Sequence, residues 1–177
     1  MKLFISPHSD DAVLFGAFTL MREKPLVLTV TDSYIQENRG EDITADMRWK
    51  EDIKAMGILG CPLIFGNLRD DVLDEWGIQN LLSRFYNFET IYAPEVTGGN
   101  PQHDLIAKVA KERFKHIILY TTYKTGEWFS KGNKEIKGMP KEIELKNKAL
   151  DCYESQIKLG ATKGHFDAVR GQSEWYI

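Results

Sequence analysis

Short apolar runs alternate with mixed, helix-like stretches from one end of the chain to the other. Lys2-Leu3-Phe4-Ile5 reads as a buried strand, and residues 12–20 follow it as a helix. Leu26-Val27-Leu28-Thr29-Val30-Thr31 is a second strand, introduced by Pro25. A polar loop over residues 32–42 comes next, with Asn38-Arg39-Gly40 as its turn signal. Thr44 is placed to cap a helix that carries Met47, Ile53, Met56 and Leu59 and stops at Gly60. A third strand, Cys61-Pro62-Leu63-Ile64-Phe65, precedes a charged loop at 67–71 and a largely helical stretch at 72–88. Thr90-Ile91-Tyr92-Ala93 and Ile117-Ile118-Leu119-Tyr120 are the fourth and fifth strands, with a helix over 103–114 between them. Residues 121–140 show no clear period. A last helix is expected at about 141–159, and the tail closes on Glu174-Trp175-Tyr176-Ile177.

This βαβα alternation, with near-continuous apolar strands, predicts an α/β fold: a Rossmann-like, doubly wound, mainly parallel sheet with helices on both faces. In the strand order 3-2-1-4-5, strands one and four are neighbours where the winding reverses, and ligands bind in the crevice beyond their carboxyl ends. Two segments rich in polar groups fall there: Pro7-His8-Ser9-Asp10-Asp11 after strand one, and Gly98-Gly99-Asn100-Pro101-Gln102-His103-Asp104 past strand four. The pattern therefore brings His8 and His103 to one crevice. His116, at the start of a strand, and His165, in an irregular tail, are expected to be surface or packing residues.

The first of these segments carries the chemistry. An Asp at a helix N-cap stabilises by roughly 1 kcal/mol, which accounts for Asp10 or Asp11 but leaves the other carboxylate and His8 without a task. A metal site accounts for all three. His and Asp suit Zn²⁺, and a catalytic zinc keeps three protein ligands and one open position. His8 and Asp11 can turn inward across one tight turn, and His103 is the third ligand the topology favours. Asp10, between two ligands, is placed as a general base for the attacking water.

Composition narrows the picture. The chain of 177 residues is expected to form a single domain, and its net charge of −3 argues against a nucleic-acid partner. No apolar run reaches membrane-spanning length, and the first residues, which turn polar after one short apolar run, are not expected to act as a signal peptide. The two cysteines, Cys61 and Cys152, make neither a disulfide framework nor a zinc motif, so a reduced, cytoplasmic protein is expected. Gly98-Gly99 is a weak phosphate cradle, and no Gly-x-Gly-x-x-Gly follows the first strand, which disfavours a nucleotide-binding reading.

The motifs resemble those of the zinc-dependent N-acetylglucosaminyl deacetylases of the PIG-L/LmbE type. Pro7-His8-Ser9-Asp10-Asp11-Ala12 is similar to that family's Pro-His-Pro-Asp-Asp-Glu, and Asn100-Pro101-Gln102-His103 to its His-Pro-Asp-His. Arg48-x-x-Glu51 with Leu59-Gly60, Leu68-Arg69-Asp70, and Lys146-x-x-Ala149-Leu150-x-x-Tyr153-x-Ser155-Gln156 resemble further family features in the same order. The resemblance implies Zn²⁺ or another divalent transition metal on His8, Asp11 and His103, with Asp10 as general base and acid. It places Arg48 and Asp70 toward an acetamido sugar of the GlcNAc type or its conjugate. Asn100 stands where the family has a His that stabilises the oxyanion; an amide can still donate there but cannot shuttle a proton. The implied activity is removal of an N-acetyl group. The alternatives are hydrolysis of another small amide, or sugar or nucleotide binding without catalysis. Trp128-Phe129 suits a sugar-stacking lid, a plug on the core or a contact in a homo-oligomer.

Overall fold

The structure is a computed structural model that describes residues 1–34, 43–124, 127 and 130–177, with the backbone alone at 160–162. Its elements follow the hydrophobic pattern closely through the first two thirds. They are β1 (Lys2–Ser6), α1 (Asp11–Glu23), β2 (Leu26–Thr31), α2 (Ala45–Leu59), β3 (Leu63–Leu68), α3 (Glu75–Leu82), β4 (Thr90–Pro94), α4 (Pro101–Arg113) and β5 (Ile117–Tyr120). The remainder comprises β6 (Lys134–Ile136), α5 (Pro140–Leu150), α6 (Glu154–Lys158), α7 (Gly160–Val169) and β7 (Glu174–Tyr176). The sheet has seven strands in the order β3-β2-β1-β4-β5-β7-β6. The first five are parallel, as the alternation predicts, and β7 runs antiparallel to both β5 and β6.

Strand periodicity splits the core between the two faces. Phe4 and Tyr92 pack with α1, α5 and Tyr153 on one face, while Leu3, Ile5 and Ile91 pack with Ile78, Leu82 and Ile106 on the other. Helix α1 is buried from Asp11 to Leu20, all round rather than along one stripe. It lies close on β1: a Cβ on Gly16 would come within 2.4 Å of the Phe4 ring, so only glycine fits that position. Its outer side is sealed by the last part of the chain. Glu174 on β7 accepts from the backbone N–H of Phe18 (2.7 Å) and faces the Lys146 ammonium at 3.5 Å, both side chains being fully buried. Burial pulls the Lys146 pKa down and pushes that of Glu174 up. Lys146→Met strands the carboxylate without its cation. The expected loss is about 3–5 kcal/mol at pH 8 in urea unfolding. The loss should shrink toward pH 5, because a Glu174 whose folded pKa is raised then takes up a proton instead.

Three expectations are corrected. The stretch at 72–88 is α-helical only over Glu75–Leu82, after a 3-10 turn at Asp70–Val72, because Asp74 accepts from the Gly77 N–H (2.8 Å) and starts the helix there. The helix expected at about 141–159 breaks after Leu150. There Tyr153 is drawn inward, its hydroxyl 2.8 Å from both the Ser9 carbonyl and Asp52, and the backbone tightens into i→i−3 bonds. The tail is not irregular: α7 and β7 occupy it. The turn expected at Asn38-Arg39-Gly40 lies outside the described residues. No helix among the described residues is long and apolar enough to cross a membrane.

Candidate metal centre and its cleft

β1 is followed by Pro7, whose carbonyl accepts both the backbone N–H and the hydroxyl of Thr31 on β2. This ties the turn after β1 to the neighbouring strand. Within the turn, the Ser6 hydroxyl donates to the His8 carbonyl (2.7 Å) and accepts from the Ala12 N–H (3.0 Å). Asp11, the first residue of α1, turns its carboxylate back and accepts from the His8 N–H at 2.8 Å. Asp10 holds the N-cap position, yet its side chain caps nothing. It instead accepts from Arg48 of α2 at 3.0 Å. The capping expected of these aspartates is therefore absent, and both carboxylates are committed to the crevice.

β4 delivers the second part of the site. Asn100 caps α4 through its Oδ1, which accepts from the N–H groups of Gln102 (2.8 Å) and His103 (3.4 Å), with Pro101 in the first turn. That cap sets the helix so that His103, fully buried, points at Asp11. His8 Nδ1, His103 Nε2 and Asp11 Oδ2 form a triangle with edges of 3.1, 3.0 and 3.1 Å. Bonds of about 2.0–2.1 Å at tetrahedral angles need edges of about 3.3 Å, so a shift of a few tenths of an ångström seats a zinc-sized ion on this face. Among the described residues these three form the one donor group with such spacing. The far nitrogen of His8 contacts Asp70 at 3.1 Å, the arrangement by which a carboxylate orients a metal-binding imidazole.

The electrostatics ask for a cation. Burial opposes charge on His8, but Asp11 and Asp70 outweigh it and push its pKa up to about 10. Burial would raise the Asp11 carboxyl, yet His103 and His8 hold it far below the ordinary carboxylate range. A proton meets that demand in the metal-free protein, and a divalent ion meets it with the donors deprotonated. Arg48 is 2 % exposed, 3.6 Å from Glu51 and 5.9 Å above the Tyr153 ring, so Asp10 carries a buried countercharge of its own.

Around this centre lies a cleft of about 210 Å³ lined by His8, Asp10, Asp11, Asn100, Tyr123 and His165, with Arg48 and Asp70 also on its wall. A larger hollow of about 430 Å³ between α2 and α6 contains no histidine and lies away from the triangle. Of the site residues singled out from sequence, His8, Asp10, Asp11, Arg48, Asp70 and Asn100 line the cleft and His103 completes the triangle, while Trp128 and Phe129 lie outside the described residues. Arg48 and Asp70 arrive with partners in the site, Asp10 and His8. His165 was expected in an irregular tail; it sits in α7, outside the donor triangle, and stacks on the Tyr123 ring at 4.8 Å and 7°. Tyr123 escaped sequence reasoning altogether. Its hydroxyl accepts from Asn100 Nδ2 (3.2 Å) and lies 3.5 Å from His103 Nε2. The available signal was its place three residues beyond the end of β5, at the carboxyl edge of the same sheet.

The sequence model of the PIG-L family, described as GlcNAc-PI de-N-acetylase, matches residues 3–114, a span that holds the whole triangle, Asp10, Arg48, Asp70 and Asn100. No curated protein sequence matches the chain. Solved structures share the fold. A triple mutant of the deacetylase of the teicoplanin biosynthetic pathway is 22% identical, over 94% of this chain and 87% of that one, with a TM-score of 0.68. A teicoplanin deacetylase in a zinc-inhibited form is 18% identical, over 94% and 89%, with a TM-score of 0.68. A conserved protein of Thermus thermophilus is 19% identical, over 99% and 93%, with a TM-score of 0.72. The 4-carboxy-2-hydroxymuconate hydratase of Pseudomonas putida is 16% identical, over 96% and 84%, with a TM-score of 0.70.

Proposed function

The chain belongs to the GlcNAc-PI de-N-acetylase (PIG-L) family, and on that premise we propose that it is a divalent-metal hydrolase that removes the acetyl group from an acetamido sugar or its conjugate. The observation that carries this reading is the His8–Asp11–His103 triangle with the Asp10 carboxylate beside it. A hydratase on the same fold shows that the fold alone does not select amide chemistry; family membership and the donor set favour it here. Zinc is the ion these borderline and hard donors suit.

When bound, the ion supplies a Lewis acid and a water of lowered pKa. The chain supplies the rest. Asp10, fixed by Arg48, takes the proton of the attacking water and returns it to the departing amine nitrogen. Asp70 orients His8 from behind and, with Arg48, forms the wall against which the sugar sits. Asn100 serves the oxyanion through Tyr123: its Oδ1 is spent on α4, and its Nδ2 donates to the tyrosine oxygen. The Tyr123 hydrogen is thereby freed to point at the substrate's carbonyl oxygen. Burial and the nearby Asp11 hold the Tyr123 pKa well above its ordinary value, so this donor stays protonated at working pH.

Tyr123→Phe should therefore lower kcat roughly 10²-fold with KM little changed, as for loss of one oxyanion-hole donor. Asn100→Asp, which keeps the acceptor that caps α4 but has no N–H to give Tyr123, should lose a similar factor, and the double variant no more than Tyr123→Phe alone. Fully additive losses would mean that Asn100 donates by itself. The activity itself is tested by acetate release from a panel of N-acetylated amino sugars, free and glycosylated. Release from at least one, blocked by a chelator, is expected; failure across the panel with metal bound would refute the deacetylase reading.

A further inference from the structure

Among the buried carboxyls that the mechanism above does not use, one reaches the turn of the metal centre. Asp52, on α2, is completely buried. Its Oδ2 accepts from the Thr29 hydroxyl on β2 at 2.7 Å, and its Oδ1 lies 2.8 Å from the Tyr153 hydroxyl. That same hydroxyl lies 2.8 Å from the carbonyl of Ser9, the residue between His8 and Asp10.

The hydrogens do not balance if Asp52 is ionised. A carbonyl oxygen only accepts, an ionised carboxylate only accepts, and a phenol has one hydrogen to give. Two oxygen–oxygen contacts of 2.8 Å would share that one hydrogen, leaving a bare lone-pair contact in a buried site. One additional proton satisfies every contact. We propose that Asp52 is a neutral carboxylic acid in the folded protein, donating to the Tyr153 oxygen so that Tyr153 donates to the Ser9 carbonyl, and that this relay positions the turn bearing His8, Asp10 and Asp11. Ser9 is held from its other side as well, its N–H donating to the Ser33 hydroxyl at 3.0 Å. The relay therefore completes a clamp on the residue at the centre of the turn.

The surroundings agree. Burial raises the Asp52 pKa to about 7. Thr29 and Tyr153 oppose that rise through their hydrogen bonds; of the charged groups, Arg48 opposes it and Asp10 adds to it. Between about pH 4 and 7 the folded protein thus binds one proton more than the unfolded chain, and stability falls as pH rises through that window. Asp52 is a positioning residue, not a catalytic one. Its link to turnover rests on the function proposed above, whereas its protonation and its hold on the metal turn do not.

The test uses the full-length protein. The infrared difference between wild type and Asp52→Asn at pH 6 should contain the carbonyl band of a buried, protonated carboxyl. An amide can both accept from Thr29 and donate to Tyr153, so Asp52→Asn should keep zinc affinity and turnover within about threefold of wild type. Asp52→Ala and Tyr153→Phe should each lose about tenfold or more, by displacement of the turn, and their double variant should lose no more than either. The melting temperature of Asp52→Asn relative to wild type should climb from pH 5 to pH 8. Absence of the band in the difference spectrum overturns the neutral acid. Wild-type zinc affinity in Asp52→Ala overturns the positioning role, whether or not any substrate is turned over.

Discussion

Asp10→Asn should keep its metal and lose roughly 10²–10⁴-fold in turnover, the usual worth of a positioned acid–base group. Asp10 is not a corner of the donor triangle, and its bonded partner is Arg48 at 3.0 Å. An amide has nearly the same shape and still accepts from Arg48, but it cannot take a proton from the attacking water. The substitution also removes one of two carboxylates near a buried guanidinium. Glu51 at 3.6 Å remains, so the protein is expected to fold with a lowered melting temperature. Elemental analysis for the metal, kcat by acetate release and a melting curve separate the outcomes. Wild-type turnover would refute the general-base role, and loss of metal would make Asp10 a ligand.

His103→Ala should remove the metal. The residue is fully buried, and its Nε2 stands 3.0 Å from Asp11 Oδ2 and 3.1 Å from His8 Nδ1, so two corners remain and the third becomes a hole. Outer-shell partners of metal ligands are worth roughly 10–100-fold in affinity, and a ligand is worth more. Zinc affinity should thus fall beyond about 100-fold in His103→Ala, by about 10–100-fold in Asp70→Asn, and little in His116→Ala or His165→Ala. Competition against a chromogenic chelator reads all four. Full affinity in His103→Ala would take it out of the site.

Most of this site was legible because it hangs on the best-determined part of the fold. β1 to β5 are continuous apolar runs, and once they are taken as parallel the switch point follows. His8 and His103 then meet at the carboxyl ends of β1 and β4, and four consecutive polar residues, His8 to Asp11, on a strand-to-helix turn mark chemistry. Arg48 was legible only as a motif position: that its guanidinium is buried against Asp10 is a tertiary fact that no local pattern encodes. The last third was harder. β6 and β7 are three residues each, too short for a two-residue period to emerge. The break between α5 and α6 is imposed by the inward pull on Tyr153 rather than by any helix-breaking residue. Tyr123 and His165 reach the cleft from segments with no period at all, so sequence offered their chemistry without their place. Asp52 was invisible for the opposite reason, a charged residue inside a helical pattern that reads as solvent-facing and is fully buried.

We propose that His8, Asp11 and His103 hold one divalent ion, and turnover should show a strict dependence on it. The most direct test is a titration of zinc into metal-stripped protein, with acetate release followed at each step. Activity should start near zero, rise in proportion to added zinc and level off at one equivalent per chain, with His103→Ala flat throughout. Undiminished acetate release by the metal-free protein, or a rise with the same stoichiometry in His103→Ala, would contradict it.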